Sequence, residues 1–526
     1  MKKIFSIYST ALLLLGLTSC NDYLDTVPSK GENEVLTRGE QIQALFDNNE
    51  TFNILESMTI TESDDYGMTT DIYDQLGYLG EACFNGIAFD IDGPQNQPYG
   101  DESLTREYNR VFKANLVINS IDDVTDISDA ERQQYLAQAH FLRAMAEWDL
   151  VNTYAMPYSE QTKDLPGITL KTSTNYEEDM TRATIGETYA AIREDLEYAY
   201  DNTTSSDVQD RWMVSRPAAA AMLARLSLFM QDYAAAEKYA AEALQSTQAT
   251  LDDYNDLSVT EMDVTSPDGE PAVATYSELY MMGKNGVTTY KENYFTQLAD
   301  VKVGALYPSV ALKALYDRDN DLRFQQFFGL NTMYEQNCSD YGDNIVYHKF
   351  FDNLYMEDLI QTGPTVPEMI LTKAEAEARQ GNVATAMTTV NTLRQARMKA
   401  DADDVTLTAD NQEEAVMAIL DERHREMPFY MRWQDVRRLN FNDVAYDDVT
   451  VSHTFYGVSN NAIDDSGVFA YTLPVQSYRF AQPIPTIEIQ RSKGQIVQNE
   501  YPDGSVVMTA VESDNNEESN DESDEE

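Results

Sequence analysis

The most diagnostic stretch of the sequence is residues 217–244, which read PAAAAMLARLSLFMQDYAAAEKYAAEAL. Pro217 suits the first turn of a helix, where its missing N–H costs nothing. The apolar run that follows, as far as Met230, carries a single charge, Arg225. Gln231-Asp232-Tyr233 predicts a tight joint before a second helix, whose small residues let two helices approach closely. These small residues are Ala236, Ala240 and Ala243. The stretch therefore predicts one helix-turn-helix repeat unit.

The same pattern returns much later in the chain. Residues 367–378 predict a helix that starts at a proline, residues 379–382 a turn, and residues 384–397 the returning helix. Apolar side chains spaced by three and four residues predict further helices over 104–121, 130–154 and 186–202. We therefore predict a mostly α, single-domain fold on a tetratricopeptide-like scaffold. On these segments alone, generic helical hairpins in an α-rich protein are the alternative.

Two long regions, residues 250–360 and 440–500, lose the helical period. The first holds six glycines and many aromatic residues, and the second contains short alternating pieces typical of strands. Loops of this length inside a compact domain are either functional or disordered, and the aromatic content argues against disorder. The scaffold is therefore expected to carry long irregular insertions with a few short strands.

The amino terminus has the features of an export signal. Two lysines precede a short apolar run over Ala11–Leu17, which is too short to cross about 30 Å of hydrocarbon as a mature helix. Leu17-Thr18-Ser19-Cys20 resembles a bacterial lipobox, in which cleavage before the cysteine lets its sulfur carry diacylglycerol. We expect residues 1–19 to be a lipoprotein signal peptide and Cys20 to be the lipid attachment site. An ordinary cleaved leader with an incidental cysteine is the alternative.

Charge and cysteine content exclude several classes of function. The chain has a formal charge of −53, which repels phosphate backbones, so we expect no nucleic-acid partner. Three cysteines cannot form a disulfide framework, although a bridge between Cys83 and Cys338 stays open. The four histidines are isolated from one another and from the thiols, so a structural zinc site is not expected.

Several segments, taken in order, resemble the SusD/RagB family of outer-membrane lipoproteins. The segment 20–28, with Cys20-Asn21-Asp22-Tyr23-Leu24-Asp25 and Pro28, resembles the start of the mature family proteins. Ala139–Ala144 and the two helix pairs follow in the family's order. Residues 419–427, the Arg432-Trp433 segment and Pro483-Ile484-Pro485 then resemble its late signatures. The chain departs from the family at Pro428–Met431, which is one residue shorter, and at Ser492–Gln495.

The resemblance implies a domain plan and a function. A lipidated amino terminus and tether over 20–50 would precede a helical domain over 51–505 and an acidic tail over 506–526. Such proteins act as surface lids over a SusC-like TonB-dependent transporter barrel, to which they pass captured oligosaccharides or, in some branches, oligopeptides. The only membrane contact would be the lipid anchor. The resemblance implies neither catalysis nor a cofactor.

No catalytic or metal motif stands out. Asp317–Asp321 imitates the start of a calcium loop, but Leu322 replaces the required glycine and Phe328 the final glutamate, so a structural turn is favoured and no metal site is predicted. The three tryptophans lie in or next to helices, so tyrosines would have to stack on sugars. The candidates lie in two insertions, about 60–100 and 250–360. They are Asp64, Asp65, Tyr66, Tyr73, Tyr78, Tyr280, Tyr290 and Tyr294. For each tyrosine alone, ordinary packing is the alternative.

Two classes of function stay open. The first is a surface nutrient-binding lid for oligosaccharides, with oligopeptides as the alternative ligand because tyrosines also suit peptide strands. The second is a helical-repeat scaffold that docks a protein partner. An enzyme is not expected.

Overall fold

The computed structural model describes residues 36–511, apart from gaps at 49–50, 53, 57–58, 97–100, 176–177, 266–268, 270, 301–305, 331–344, 353–356, 404, 461 and 503–505. The predicted signal peptide, Cys20, Cys338 and residues 512–526 of the predicted tail lie outside these residues.

Helices make up most of the regular structure. In chain order they are α1 (Gly39–Phe46), α2 (Thr70–Leu76), α3 (Tyr78–Ile87), α4 (Asp92–Gln95), α5 (Glu102–Ser120), α6 (Asp129–Tyr154), α7 (Ile185–Asn202), α8 (Arg216–Phe229), α9 (Tyr233–Ala243), α10 (Glu278–Val287), α11 (Val310–Ala314), α12 (Leu322–Phe327), α13 (Val366–Arg379), α14 (Val383–Gln395), α15 (Gln412–Glu426), α16 (Tyr430–Leu439) and α17 (Thr486–Arg491).

The strands are short and form small sheets. They are β1 (Ile54–Glu56), β2 (Val259–Thr265), β3 (Pro271–Ser277), β4 (Leu298–Asp300), β5 (Phe328–Leu330), β6 (Ile345–Tyr347), β7 (Phe350–Asp352), β8 (Glu357–Gln361), β9 (Val451–Ser459), β10 (Ala462–Leu473) and β11 (Val507–Ala510). One sheet has the order β1-β4-β8-β7, another β11-β10-β9, and β2-β3 and β5-β6 form ribbons. Only β1 and β4 run parallel among these pairs.

Local sequence signals set the starts of the long helices. At α6, Ser128 Oγ accepts the Glu131 N–H at 3.2 Å, while the Glu131 carboxylate accepts the Ser128 N–H at 2.8 Å. Thr184 and Glu187 form the same reciprocal cap at the start of α7. Such caps satisfy amide groups that have no partner within the helix, so the chain enters each helix at a defined residue.

Packing within and between the two helix pairs forms the repeat scaffold. Helix α8 packs against α9, α13 packs against α14, and α9 lies against α13 although more than a hundred residues separate them. The three small residues of α9, Ala236, Ala240 and Ala243, are fully buried, as close approach of the helices requires. The predicted tetratricopeptide-like, mostly α fold is therefore confirmed.

A bidentate ion pair joins the two helix pairs inside the core. Arg225 on α8 donates from Nε and Nη2 to the two carboxylate oxygens of Glu368 on α13, at 2.7 Å each. Its Nη1 donates to the Thr362 carbonyl at 2.9 Å. Both side chains are buried, so the single charge in the apolar run of α8 is a cross-link between repeat units.

The irregular regions build a second hydrophobic core beside the scaffold. Its buried members come from residues 55–87, 254–360, 429–431 and 455–471. The two predicted ligand insertions meet within it, because Ser309 N donates to the Asp65 carbonyl at 2.7 Å and Gly67 N donates to the Tyr307 carbonyl at 2.8 Å. The sheet β9–β11 covers part of this core. Its last strand pairs with β10 through residues 507–510, so regular structure is present beyond the predicted end of the domain at residue 505.

Candidate functional site

The structure places the predicted tyrosines in the interior. Tyr66 and Tyr73 are buried in the second core, and Tyr280 is also buried. Tyr290 is 5% exposed and Tyr294 is fully buried, the latter within the helical core. Tyr78 begins α3, but its side chain is outside the described part of the structure. In these positions the buried rings pack as core residues, although Tyr290 also lines a small internal cavity. The role of these residues in ligand binding stays a prediction.

The acidic pair Asp64 and Asp65 is committed to long-range contacts. Asp64 accepts two hydrogen bonds from Arg432 Nε, at 3.0 and 3.2 Å, and one from Arg432 Nη2 at 2.8 Å. Asp65 lies 2.6 Å from His424 Nε2 and accepts the Phe429 N–H at 2.7 Å. Burial alone would raise the pKa of Asp64, but Arg432 outweighs burial and lowers that pKa to about 2.

This same cluster is the one group of described residues whose spacing could suit a metal ion. One ligand atom from each of Asp64, Asp65 and His424 lies within 4.8 Å of the others. The guanidinium of Arg432 already neutralises Asp64, and both oxygens of Asp65 have partners, so the contacts fit an ion-pair network better than a cation site. The network fastens residues 64–65 to the turn between α15 and α16. Phe429 takes a positive φ of 63° in that turn, at the segment where the sequence departs from the family pattern.

The resemblance of Asp317–Asp321 to a calcium loop also has a structural explanation. Asp317 accepts the Asp319 N–H at 3.1 Å and the Asn320 side-chain amide at 2.8 Å, and Asp321 caps α12 and pairs with Arg323 at 2.7 Å. The segment is a capped turn, as the sequence favoured.

A group of aromatic rings that includes one exposed tyrosine lies where α3 meets the strands β9 and β10. The rings involved are Tyr73, Phe84, Phe455, Tyr456, Phe469 and Tyr471, and we call them the aromatic cluster. Phe84 packs edge-on against Tyr471 at a centroid distance of 5.6 Å, and Tyr73 lies 5.7 Å from Phe455. Aromatic pairs at such distances fix one another's orientation. The cluster therefore joins the early insertion to the late hairpin.

Strand alternation decides which of these rings reach solvent. Along β9, Phe455 points to the core and Tyr456 to the opposite face, where the residue is 39% exposed. Phe84 and Phe469 are half-buried, and the Tyr471 hydroxyl donates to the Tyr456 carbonyl at 3.1 Å. Burial raises the pKa of Tyr471, which keeps this phenol protonated as a donor. Tyr456 is therefore held on a braced backbone with its ring accessible.

Further exposed apolar side chains belong to the same sheet as Tyr456 or directly follow it. Of the ten large hydrophobic residues that are exposed in the described chain, four belong to this sheet or directly follow it: Tyr456, Val507, Met508 and Val511. Val468 lies opposite Tyr456 in the sheet, and Val511 N donates to the Val468 carbonyl at 2.9 Å, which places the three side by side. Apolar patches rimmed by polar residues mark interaction surfaces.

The ligand residues predicted from the sequence do not include this surface, because they all lie in the two insertions at about 60–100 and 250–360. The available signal was the alternation of aromatic and small residues in Phe455-Tyr456-Gly457 and Phe469-Ala470-Tyr471. Strand alternation makes one residue of such a pair solvent-exposed. The pairing with α3, more than 350 residues earlier, has no counterpart in the sequence.

Carboxyl groups with strongly shifted pKa values lie away from any surface. Burial raises the pKa of Glu62, Glu107 and Glu147 to about 8 each. Shifted values often mark catalytic groups, but structural burial produces them too. All three residues are buried, so desolvation accounts for the raised pKa values.

Family models match most of the chain. A SusD-like model described as "Starch-binding associating with outer membrane" matches residues 22–228, and a SusD family model matches residues 320–501. The chain belongs to the SusD family. The matched residues of this SusD-family protein include α13 and α14, the acidic pair, Phe84 and the β9–β10 hairpin, whereas α9 lies between the two matches.

Solved structures share the fold. A SusD superfamily protein from Bacteroides vulgatus is 16% identical, with 89% of this chain and 100% of that one covered and a TM-score of 0.64. A SusD-like protein from Bacteroides fragilis is 17% identical over 88% of this chain and 97% of that one, with a TM-score of 0.61. A laminarin-binding SusD-like protein is 16% identical over 89% and 99%, with a TM-score of 0.52. No curated protein matches the chain.

Among the residues that the structure describes, no helix of this SusD-family protein combines the length and the apolar character that crossing a bilayer demands.

Proposed function

We propose that this SusD-family protein is a lipid-anchored surface protein that captures oligosaccharides and passes them to a TonB-dependent transporter. The observation that carries the ligand class is the aromatic cluster with Tyr456 exposed on a braced strand, since sugar rings stack their C–H faces on aromatic rings. Two of the similar proteins support the same class of ligand: the family whose model is described as starch-binding, and the laminarin-binding SusD-like protein.

Membrane placement and the transporter partner are inferred from other observations. The lipobox around Cys20 supplies the anchor, and the matching family model names association with the outer membrane. A transporter partner is inferred from family membership. Solubilisation in a gentle detergent should recover the protein with a large β-barrel companion, whereas purification alone from its native membrane would favour the stand-alone scaffold.

The ligand proposal is tested by calorimetry with laminarin and a panel of other glycans, beside peptide digests. Tyr456→Ala should weaken glycan binding about 2- to 10-fold, the effect of losing about 0.5–1.5 kcal/mol of aromatic stacking. Tyr456→Phe keeps the ring and should bind as the wild type does. Met417→Ala is the matched control, because Met417 is similarly exposed, at 37%, on the helical scaffold.

The outcomes separate the alternatives. Glycan binding that Tyr456→Ala leaves unchanged would remove the aromatic cluster as the site. Binding of peptides and of no glycan would establish the oligopeptide alternative. Binding of neither class would count against a nutrient-capture role.

A further inference from the structure

A polar cleft of about 510 Å³ opens in the helical scaffold, away from the aromatic cluster. It lies among the end of α7, the start of α8 and the end of α9, which supply Tyr200, Arg216 and Glu242 respectively. Ser206, Asp207, Gln245 and Ser246 also line it. The volume is within the range of small-ligand sites.

Three side chains in the cleft form one hydrogen-bonded chain. Arg216 Nη2 donates to the Tyr200 hydroxyl at 2.8 Å, and that hydroxyl donates to Glu242 Oε2. The Arg216 guanidinium also lies over the Tyr200 ring, 4.1 Å from its centroid. The Tyr239 ring packs edge-on against the Tyr200 ring at a centroid distance of 5.7 Å. The tyrosine is therefore held by two neighbours, and its hydroxyl couples a donor to an acceptor.

The loops beneath the cleft are tied by a separate set of contacts. Asp207 accepts the Val208 N–H at 2.8 Å, the Thr247 N–H at 2.9 Å and the Thr247 hydroxyl at 2.8 Å, and it also accepts the Ser246 hydroxyl. Asp207 is thus used in joining two loops. The floor of the cleft is fixed without involving Arg216 or Glu242.

The hydrogen-bonded chain of Arg216, Tyr200 and Glu242 has free donor groups at one end and a free acceptor at the other. Arg216 is exposed, and its described hydrogen bond uses Nη2, which leaves N–H groups at Nε and Nη1. Glu242 uses Oε2 for Tyr200, which leaves Oε1 as an acceptor. The guanidinium of Arg216 and the carboxylate of Glu242 balance each other in charge, and the carboxylate of Asp207 is occupied by its loop contacts. The free donor and acceptor groups at the two ends therefore suit a neutral polar ligand. Adjacent hydroxyl groups of a sugar, one accepting from Arg216 and one donating to Glu242, match this pair of ends.

We propose that this cleft is a second sugar-binding site, which recognises adjacent hydroxyl groups of an oligosaccharide through Arg216, Tyr200 and Glu242. The ligand class rests on the proposed function, but the position does not, because the cleft belongs to the helical scaffold and Tyr456 to the late sheet. A long glycan could then contact the protein at two places.

Calorimetry with glucose oligomers of β-1,3, β-1,4 and α-1,4 linkage tests the proposal on the full mature chain. The wild type should bind the preferred oligomer at two sites. Glu242→Ala and Tyr200→Phe should each weaken one of them at least about tenfold, while Tyr456→Ala should affect the other. Glu197→Ala is the matched control, since Glu197 is an exposed glutamate on the same helix as Tyr200.

A crystal soaked with the same oligomer should show sugar density between Arg216 and Glu242. If the wild type binds at two sites and neither Glu242→Ala nor Tyr200→Phe alters either of them, the cleft is not a sugar-binding site. The proposed site at Tyr456 would be unaffected by that result. Binding lost in the cleft variants and unchanged in Tyr456→Ala would support the cleft and overturn the aromatic cluster. A single site that Tyr456→Ala abolishes, or no binding to any oligomer, would also overturn the cleft.

Discussion

Arg225→Met should destabilise the protein far more than the loss of a surface charge would. The substitution removes three hydrogen bonds, two to Glu368 at 2.7 Å and one to the Thr362 carbonyl at 2.9 Å. It leaves a buried carboxylate whose nearest remaining cation in the described chain is Arg423 Nη2, at 4.0 Å. Removing one partner of a buried ion pair costs about 3–5 kcal/mol, so the free energy of unfolding should fall by that amount.

Urea unfolding followed by far-ultraviolet circular dichroism measures this loss, with Glu368→Leu and the double variant completing a thermodynamic cycle. Because an apolar pair of similar volume is often tolerated, the double variant should lose less than the sum of the single losses, by at least about 2 kcal/mol. Lys163→Ala is the control, since Lys163 pairs with Glu160 at the surface and its removal should leave the unfolding curve unchanged. A loss below about 1 kcal/mol in Arg225→Met would refute the role of this pair as a cross-link.

Three further outcomes are expected. Burial raises the pKa of Glu147 from 4.5 to about 8, so the folded state retains a proton that the unfolded chain releases, and the free energy of unfolding should fall as pH rises between these values. In urea unfolding at pH 8, the free energy of unfolding of Glu147→Gln should therefore exceed that of the wild type by about 1–2 kcal/mol. At pH 5 the difference should be smaller. Gly363→Ala should lower the unfolding midpoint, because a Cβ there would lie 2.2 Å from the Phe295 carbonyl oxygen. Gly186→Ala, whose nearest contact is the Lys163 carbonyl oxygen at 3.3 Å, should lower the midpoint less, and equal midpoints for the two variants would contradict this. Cys20→Ala should leave the circular dichroism spectrum intact and move the protein from the membrane to the soluble fraction, and retention in the membrane would argue against lipidation.

The helical scaffold could be predicted from sequence because its signals are local. Pro217, the capped starts of α6 and α7 and the small residues of α9 each act within a few positions of the chain. Apolar spacing of three and four residues then identified the buried faces. The helix-pair boundaries agree with the predicted ones to within one or two residues.

The candidate site could not be predicted in the same way, because its contacts join distant segments. Asp64 meets Arg432 and Phe84 meets Tyr471 across more than 350 residues, and no local pattern records either pairing. Tyr290 and Tyr294 lie in a region without a helical period, so the sequence gives no sign of which side chains are buried there. In the structure both tyrosines are buried. Aromatic content alone does not distinguish a core ring from an accessible one.

The contact between α9 and α13 has a consequence for how such proteins diversify. The chain leaves the scaffold after Ala243 and returns at Val366, and the two helices that border this excursion touch. A segment whose ends are already adjacent can grow, shrink or be replaced at an entropic cost that rises only slowly with its length. The scaffold can therefore accept insertions of different sequence and length between α9 and α13, while the packing of the surrounding helices is unchanged.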